Sequence, residues 1–219
     1  MDENDIKAAV LNYLLLQGRI KRGCAIANEF ALRKASVRAD LAILEQRFIG
    51  IEIKSPADSL RRLETQINSY KEYFDQVMMF VATNHVKNIN LNDYQGVEVY
   101  AVGQSSHITP ISQQTDSKQA SGEALLKLLT KNERERLCVD ETPMQERRAF
   151  ELAFSKRYCE TSELFWNVVG KRRRIKVLDL HLLSKYRPQR EAALFLKKQN
   201  EQRWTQWTSE IMGLTPTTV

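Results

Sequence analysis

Apolar residues recur at helical spacing at the start of the chain, where Ile6, Val10, Tyr13 and Leu14 share one stripe of a helix that ends at Gln17-Gly18. The period then changes. AIANEFAL (25–32), ADLAIL (39–44) and IGIEIK (49–54) are short and apolar or β-branched with polar residues interleaved, which predicts three strands. Only EQRF separates the last two, a length that permits nothing but a hairpin. Ser55-Pro56-Ala57-Asp58 combines a capping residue, a proline for the first helical position and an acid at capping-box spacing. A helix is predicted from there to about Phe74, with Leu60, Leu63, Ile67, Tyr70 and Phe74 on one stripe. VMMFVA (77–82) and VEVYAV (97–102) read as two more strands, the former nearly all apolar, as in a strand covered on both faces.

Residues 104–122 are polar and aperiodic, the pattern of a linker or long loop. Beyond them Ala124–Leu137, Met144–Cys159, Glu163–Val169, Leu178–Lys185 and Pro188–Met212 look helical, with breaks at Thr142-Pro143 and Arg187-Pro188. The organisation expected is an α/β (α+β) module over 1–103, a linker over 104–122 and a basic helical region over 123–219. Trp204 and Trp207, three apart on the last helix, are expected to pack against other helices.

Charge divides unevenly along the 219 residues. Residues 1–103 hold 13 basic and 13 acidic side chains, so the net charge of +6 lies wholly in the second half. Within 165–203 there are 11 basic residues against 3 acidic ones, densest at Lys171-Arg172-Arg173-Arg174-Ile175-Lys176. That concentration fits either a polyanionic partner held through phosphate contacts or a solvated helical face. Cys24, Cys138 and Cys159 are odd in number and widely spaced, and His85, His107 and His181 lack metal-ligand spacing. Neither a zinc ribbon nor a disulfide framework is expected, and a reducing, cytoplasmic compartment follows. No signal peptide or apolar run of membrane-spanning length is apparent, so no membrane partner is expected.

Candidate chemistry lies at the end of the third strand. Glu52 and Lys54 are two apart, so their side chains leave the same face. If Glu45-Gln46-Arg47 form a three-residue turn with Leu44 opposite Phe48, Asp40 falls across from Glu52 on that face. Two carboxylates about 5 Å apart repel one another unless a cation lies between them, and a hard divalent ion such as Mg²⁺ or Mn²⁺ resolves the conflict. Lys54 is then placed to meet charge developing on a phosphate. On the following helix Tyr70 lies inside the apolar stripe and Gln66 at its edge, within reach of the site's rim. Arg61 and Arg62, beside Asp58, are placed either to meet flanking phosphates or to pair with that acid.

Ala39-Asp40, eleven intervening residues and Glu52-Ile53-Lys54-Ser55 resemble the core of the PD-(D/E)XK nuclease superfamily. The run from Asn28-Glu29-Phe30 through EIKSPADSLRRLETQINSYKEYFDQVMMFVATNHV looks like a bacterial and phage branch of it, covering about residues 25–86. The resemblance implies a restriction-endonuclease-like mixed central sheet flanked by helices. It makes Asp40 and Glu52 the metal-binding carboxylates, with the Ile53 carbonyl on the same ion and Glu29 as an additional upstream acid. Lys54 becomes the catalytic lysine, and Gln66 and Tyr70 match a Gln-x-x-x-Tyr signature of several branches. The proline of the superfamily's name is Ala39 here, which makes the motif less specific and leaves its chemistry intact.

The function expected is therefore a Mg²⁺- or Mn²⁺-dependent nuclease acting on DNA, meeting its substrate with Arg61, Arg62, Tyr70 and the basic run Lys171, Arg172, Arg173, Arg174 and Lys176. Two rivals share much of this reading: a non-catalytic DNA-binding or adaptor protein on the same fold, and an RNA-directed nuclease with the same site. A homodimer is compatible with double-strand cutting, although no heptad pattern marks one.

Overall fold

Six strands form one mixed sheet whose spatial order is that of the sequence. In this computed structural model, residues 1–32, 37–113, 118–137, 143–172, 174–184 and 187–212 are described. β1 (Ala25–Leu32), β2 (Val37–Leu44) and β3 (Phe48–Lys54) run antiparallel, β4 (Gln76–Ala82) and β5 (Val97–Val102) continue parallel to β3, and β6 (Ile108–Ser112) returns antiparallel. The Glu45–Arg47 turn sets the β2–β3 register, with Leu44 on Phe48 and Leu41 on Ile51. Helices flank the sheet on both faces, so the fold is a mixed α/β (α+β) layer structure with a helical C-terminal region.

Helix α1 (Glu3–Leu16) starts at a capping box between Asp2 and Asp5, and Ile6, Val10, Leu11 and Leu14 bury its inner stripe. It lies over the face formed by Ile26, Ile43, Ile49, Ile51, Ile53 and Phe80. The opposite face, with Ala42, Phe48, Val77, Met79 and Val99, is covered by α2 (Leu63–Tyr73) and α4 (Gly122–Leu126). A 30-residue helix, α6 (Pro143–Arg172), serves both layers: Phe150, Phe154 and Tyr158 pack on the α2 face, and Phe165, Trp166 and Val169 on the α1 face. Between those halves it crosses the outer edge of β1. There Ser162 Oγ accepts from Ile26 N–H at 2.9 Å, and Trp166 Nε1–H donates to the Cys24 carbonyl at 2.8 Å. An edge strand that would otherwise template aggregation is thus covered.

Several expectations need correction. Residues 104–122 contain β6, an edge strand in which Pro110 is tolerated because one side of an edge needs no N–H donor. The helix expected over 124–137 is two, α4 and α5 (Lys131–Leu137), because Thr130 and Glu133 cap each other's backbone N–H and restart the chain there. The helices expected at 144–159 and 163–169 are one, α6, since nothing at Glu160–Ser162 breaks it. Leu178–Lys185 is instead a 3-10 turn at Val177–Leu183. The division at 104–122 is likewise not the one the chain adopts. It forms two units, Met1–Ser184 and Lys185–Val219, because α4 and α6 join α2 in covering the sheet's second face. The second unit holds α7 (Arg187–Met212), on which the rings of Trp204 and Trp207 pack on each other at 5.0 Å.

Candidate active site

β3 places Glu52 and Lys54 on one face, and the helix that follows the Ser55–Arg62 connection closes over them. That connection is not helical, contrary to the capping signals. Asp58 Oδ2 accepts from Ser55 N–H at 2.7 Å while Asp58 N–H donates to the Ser55 carbonyl at 3.1 Å, a closed turn that uses up the cap. Helix α2 therefore begins eight residues later, at Leu63. The turn is held from behind: His85 Nε2 lies 2.9 Å from the Ser55 carbonyl, which can only accept, so that nitrogen carries the proton. His85 belongs to the one-turn helix α3 (Thr83–Val86) directly after β4.

Delaying the helix keeps the stripe geometry. Tyr70 is fully buried and its hydroxyl donates to Glu52 Oε2, with the Arg38 carbonyl 3.0 Å away. Burial and the adjacent Glu52 charge hold the phenol far above its ordinary pKa, so it is a neutral donor throughout the working range. Gln66, one turn earlier at the edge of the stripe, accepts from Lys54 Nζ at 3.0 Å. Lys54 Nζ also stands 2.7 Å from Glu52 Oε1, off the direction of a hydrogen bond, which leaves that buried oxygen otherwise unpartnered. Glu52 is 0% exposed and Lys54 9%, because α2 covers the face they share.

Asp40 joins them by a route the strand pattern does not show. The β2–β3 ladder ends at Leu41–Ile51, and the Asp40 carboxylate takes the Ile53 N–H at 2.6 Å in place of a strand carbonyl. Alternation fails at this rung in two strands together. Leu41 faces the α1 layer while Ala39, two residues away, faces the α2 layer. On β1, Glu29 sits opposite Asp40 with φ +60°, and Phe30 beyond it faces α2. Burial and the Glu52 charge push the Asp40 carboxyl up to about 7, opposed by the Ile53 N–H and by Lys7. Asp40 is half-buried and opens the pair to solvent.

The remaining expected residues are scattered. Glu29 is paired with Arg38 at 3.2 Å and is not turned to the two carboxylates. Ile53 is buried in the α1 layer and engages the site through its N–H. Arg61 and Arg62 are exposed just before α2 and have no ion pair with Asp58. Tyr70, expected as a nucleic-acid contact, offers no surface for one. The basic run is not one patch: Arg172 pairs with Asp179 at 2.5 Å, whereas Arg174 and Lys176 are exposed. Arg173 lies outside the described residues, as does the side chain of Lys171. Among the described residues no three His, Cys, Asp or Glu side chains converge on a metal position, so Asp40 and Glu52 are the hard donors at the site.

Sequence reading missed Lys7. It is 1% exposed, donates to Asn28 Oδ1 at 3.0 Å, pairs with Glu3 at 2.7 Å and brings a positive charge to bear on Asp40. The signal was available: Lys7 interrupts the apolar stripe of α1 between Ile6 and Val10, and a lysine there needs a partner. His85 carried no comparable signal, because the turn it supports is made by residues thirty positions earlier.

The sheet and this charged centre define a class, an α/β protein with two carboxylates and a lysine gathered at the end of a parallel strand. The chain belongs to the family of bacteriophage P4 protein cII, whose sequence profile matches residues 1–184, the extent of the first unit. A curated relative, protein cII of Enterobacteria phage P4, is 33% identical over 88 residues, which is 40% of this chain and 33% of that protein. The match thus spans about a third of the relative's length. A solved structure, a protein of unknown function from Silicibacter pomeroyi, superposes with a TM-score of 0.45 at 12% identity, covering 78% of this chain and 94% of that one. Among the described residues no helix is long and apolar enough to cross a membrane, and Cys24 and Cys159 are free thiols.

Proposed function

We propose that this chain is a Mg²⁺- or Mn²⁺-dependent nuclease that hydrolyses phosphodiester bonds in DNA. One observation carries the reading: Asp40, Glu52, Lys54 and Gln66 converge at one end of β3, and the buried Glu52 Oε1 lacks a directed partner. The resemblance to PD-(D/E)XK nucleases supports the same assignment. Asp40 and Glu52 are hard oxygen donors that repel one another, a set suited to an ion that keeps most of its waters. When bound, the ion supplies the positive charge that polarises a phosphodiester and acidifies water. The Tyr70 hydroxyl fixes Glu52 through Oε2 and Ile53 N–H fixes Asp40, so the donors are oriented in advance and Glu52 Oε1 is left for the ion. Lys54, steadied by Gln66, then turns its ammonium from Glu52 to the charge that gathers on the phosphate.

The test is incubation with linear, circular and single-stranded DNA and with RNA, with and without Mg²⁺ or Mn²⁺, alongside Lys54→Met and Glu52→Gln. Cutting of DNA that requires the ion and is abolished in both folded variants is the expected result. A Lys54→Met protein that cuts as fast as the parent refutes the mechanism. Preference for RNA moves the substrate. DNA binding with no cutting, and no calorimetric ion binding that depends on Asp40 and Glu52, establishes a non-catalytic DNA-binding protein instead.

A further inference from the structure

The sequence's basic run reaches a groove that runs along α1 beside the β5–β6 connection. Ile175 is 2% exposed and plugs the α1 layer, and its backbone is clamped on both sides by the Asn12 amide, which donates to the Ile175 carbonyl at 2.8 Å and accepts its N–H at 3.0 Å. Asp179, nearly buried, ties the same segment down through Arg172 at 2.5 Å and Lys176 N–H at 2.8 Å. With Ile175 facing inward, its neighbours Arg174 and Lys176 face outward. Lys21 and Arg22, which follow the end of α1, are brought alongside them: the Arg22 guanidinium donates to the Gly170 carbonyl at 3.4 Å.

All four cations line one groove of about 1560 Å³, floored by Ala8, Asn12 and Leu16 of α1, with Asp5 as its one acidic side chain, near the opposite end of the helix. Among the described residues neither Arg174 nor Lys176 has a carboxylate within ion-pair distance, and Lys21 reaches Glu45 only at 3.6 Å. Four like charges gathered at one end of the groove, with only Lys21 paired to an acid, form a site of positive potential. The first turn of α1 lies at the candidate active site, since Lys7 and Glu3 act on Asp40.

We infer that this groove is a second contact for the polynucleotide backbone, binding phosphates remote from the one that is cut. Its 14-residue helix spans about 21 Å at the helical rise. A strand advances about 3.4 Å per nucleotide, so the basic end meets the backbone about six nucleotides from the centre. That distance to the scissile phosphate rests on the nuclease reading, whereas binding by the groove does not.

The experiment measures affinity for fluorescent DNA duplexes and for RNA in EDTA as salt is raised from about 50 to 200 mM. The parent is compared with the Lys21→Ala/Arg22→Ala/Arg174→Ala/Lys176→Ala protein and with Arg174→Glu/Lys176→Glu, each checked for an unchanged melting profile. Each phosphate that is no longer neutralised lowers the slope of log affinity against log salt by about 0.9, so the slope of the fourfold variant should fall by about 3 to 4. Lys131→Ala/Arg134→Ala, on exposed α5, should leave the slope alone. An unchanged slope in the fourfold variant, or an equal fall in the α5 control, overturns the proposal. A parent protein that never cuts, yet whose slope falls in the fourfold variant, removes the nuclease reading and keeps the groove. Where cutting is observed, duplex arms shorter than about six nucleotides on one side should reduce it for the parent and not for the fourfold variant. Equal reduction in both proteins contradicts the inferred path.

Discussion

Removing the Tyr70 hydroxyl separates the holding of Glu52 from its chemistry. The hydroxyl has one proton and two acceptors, Glu52 Oε2 and the Arg38 carbonyl at 3.0 Å, and the charged acceptor takes it. Tyr70→Phe leaves Glu52 Oε2 with no donor in a residue that is 0% exposed, while Oε1 keeps only the Lys54 ammonium at 2.7 Å. A hydrogen bond to a charged group is worth about 1.5–3 kcal/mol, and the ring itself stays packed, so the destabilisation is placed at about 2 kcal/mol. For a chain of this size that is about 4–8 °C in Tm. The assay is urea denaturation followed by circular dichroism and by the fluorescence of buried Trp166, repeated in a Glu52→Gln background. The cost should fall by about 1 kcal/mol or more there, because the carboxylate that made the bond strong is gone. If Tyr70→Phe costs the same in both backgrounds, or less than about 0.5 kcal/mol in the parent, Glu52 is not held by this hydroxyl and the site's preorganisation fails with it.

Three further outcomes follow from particular contacts. A Cβ on Gly50 would lie 2.3 Å from the Phe74 ring, which is locked against Phe48 at 4.5 Å, so Gly50→Ala should destabilise by about 2–3 kcal/mol in the same denaturation assay; a neutral result means the ring moves freely. Asp75 accepts from Phe48 N–H at 2.8 Å, Ala120 N–H at 2.9 Å and Arg147 at 2.5 Å, contacts that hold its carboxyl below the usual range against the cost of burial. Asp75→Asn turns an NH₂ toward one of these donors and should cost about 3 kcal/mol, with a double-mutant cycle against Arg147→Ala showing strong coupling; simple additivity contradicts the account. Glu133, bonded to Arg157 at 2.5 Å and to Thr130, is lowered to about 2, the hydrogen bonds outweighing its desolvation. A depressed acid contributes stability above its unfolded pKa of about 4.5 that disappears as pH falls toward 2, so the gap between parent and Glu133→Gln should be full at pH 6 and absent by pH 2. A gap that persists at pH 2 means the pair is not its source.

Much of the candidate site was legible because it rests on short-range rules. A three-residue turn fixes the β2–β3 register, side chains two apart on a strand share a face, and the 3.6-residue period sets Gln66 and Tyr70 on one side of α2. Those rules hold even though α2 begins at Leu63 and not at Ser55, since a delayed start does not rotate the stripe. What they cannot supply is how Asp40 is held. Its bond to Ile53 N–H depends on where the ladder stops, and that is decided by the paired irregularity at Glu29 and Asp40. Glu29 looked like a ligand because it is the acid on the same rung, and its left-handed backbone goes with a pairing to Arg38 instead.

By itself, the sequence determined the α1 stripe, the hairpin, the doubly covered strand at 77–82 and the trio Asp40, Glu52 and Lys54, all consequences of periodicity and turn length over a few residues. The tertiary structure decided what depends on distant segments meeting. Residues 150–169 of α6 complete both layers and seal the edge of β1, so the helical half is part of the fold and not an appendage. The basic run acquires its meaning in the same way: burial of Ile175 against α1 and the Arg172–Asp179 pair sort its cations into tied and free. Composition counts charges, and only packing determines which of them face solvent together.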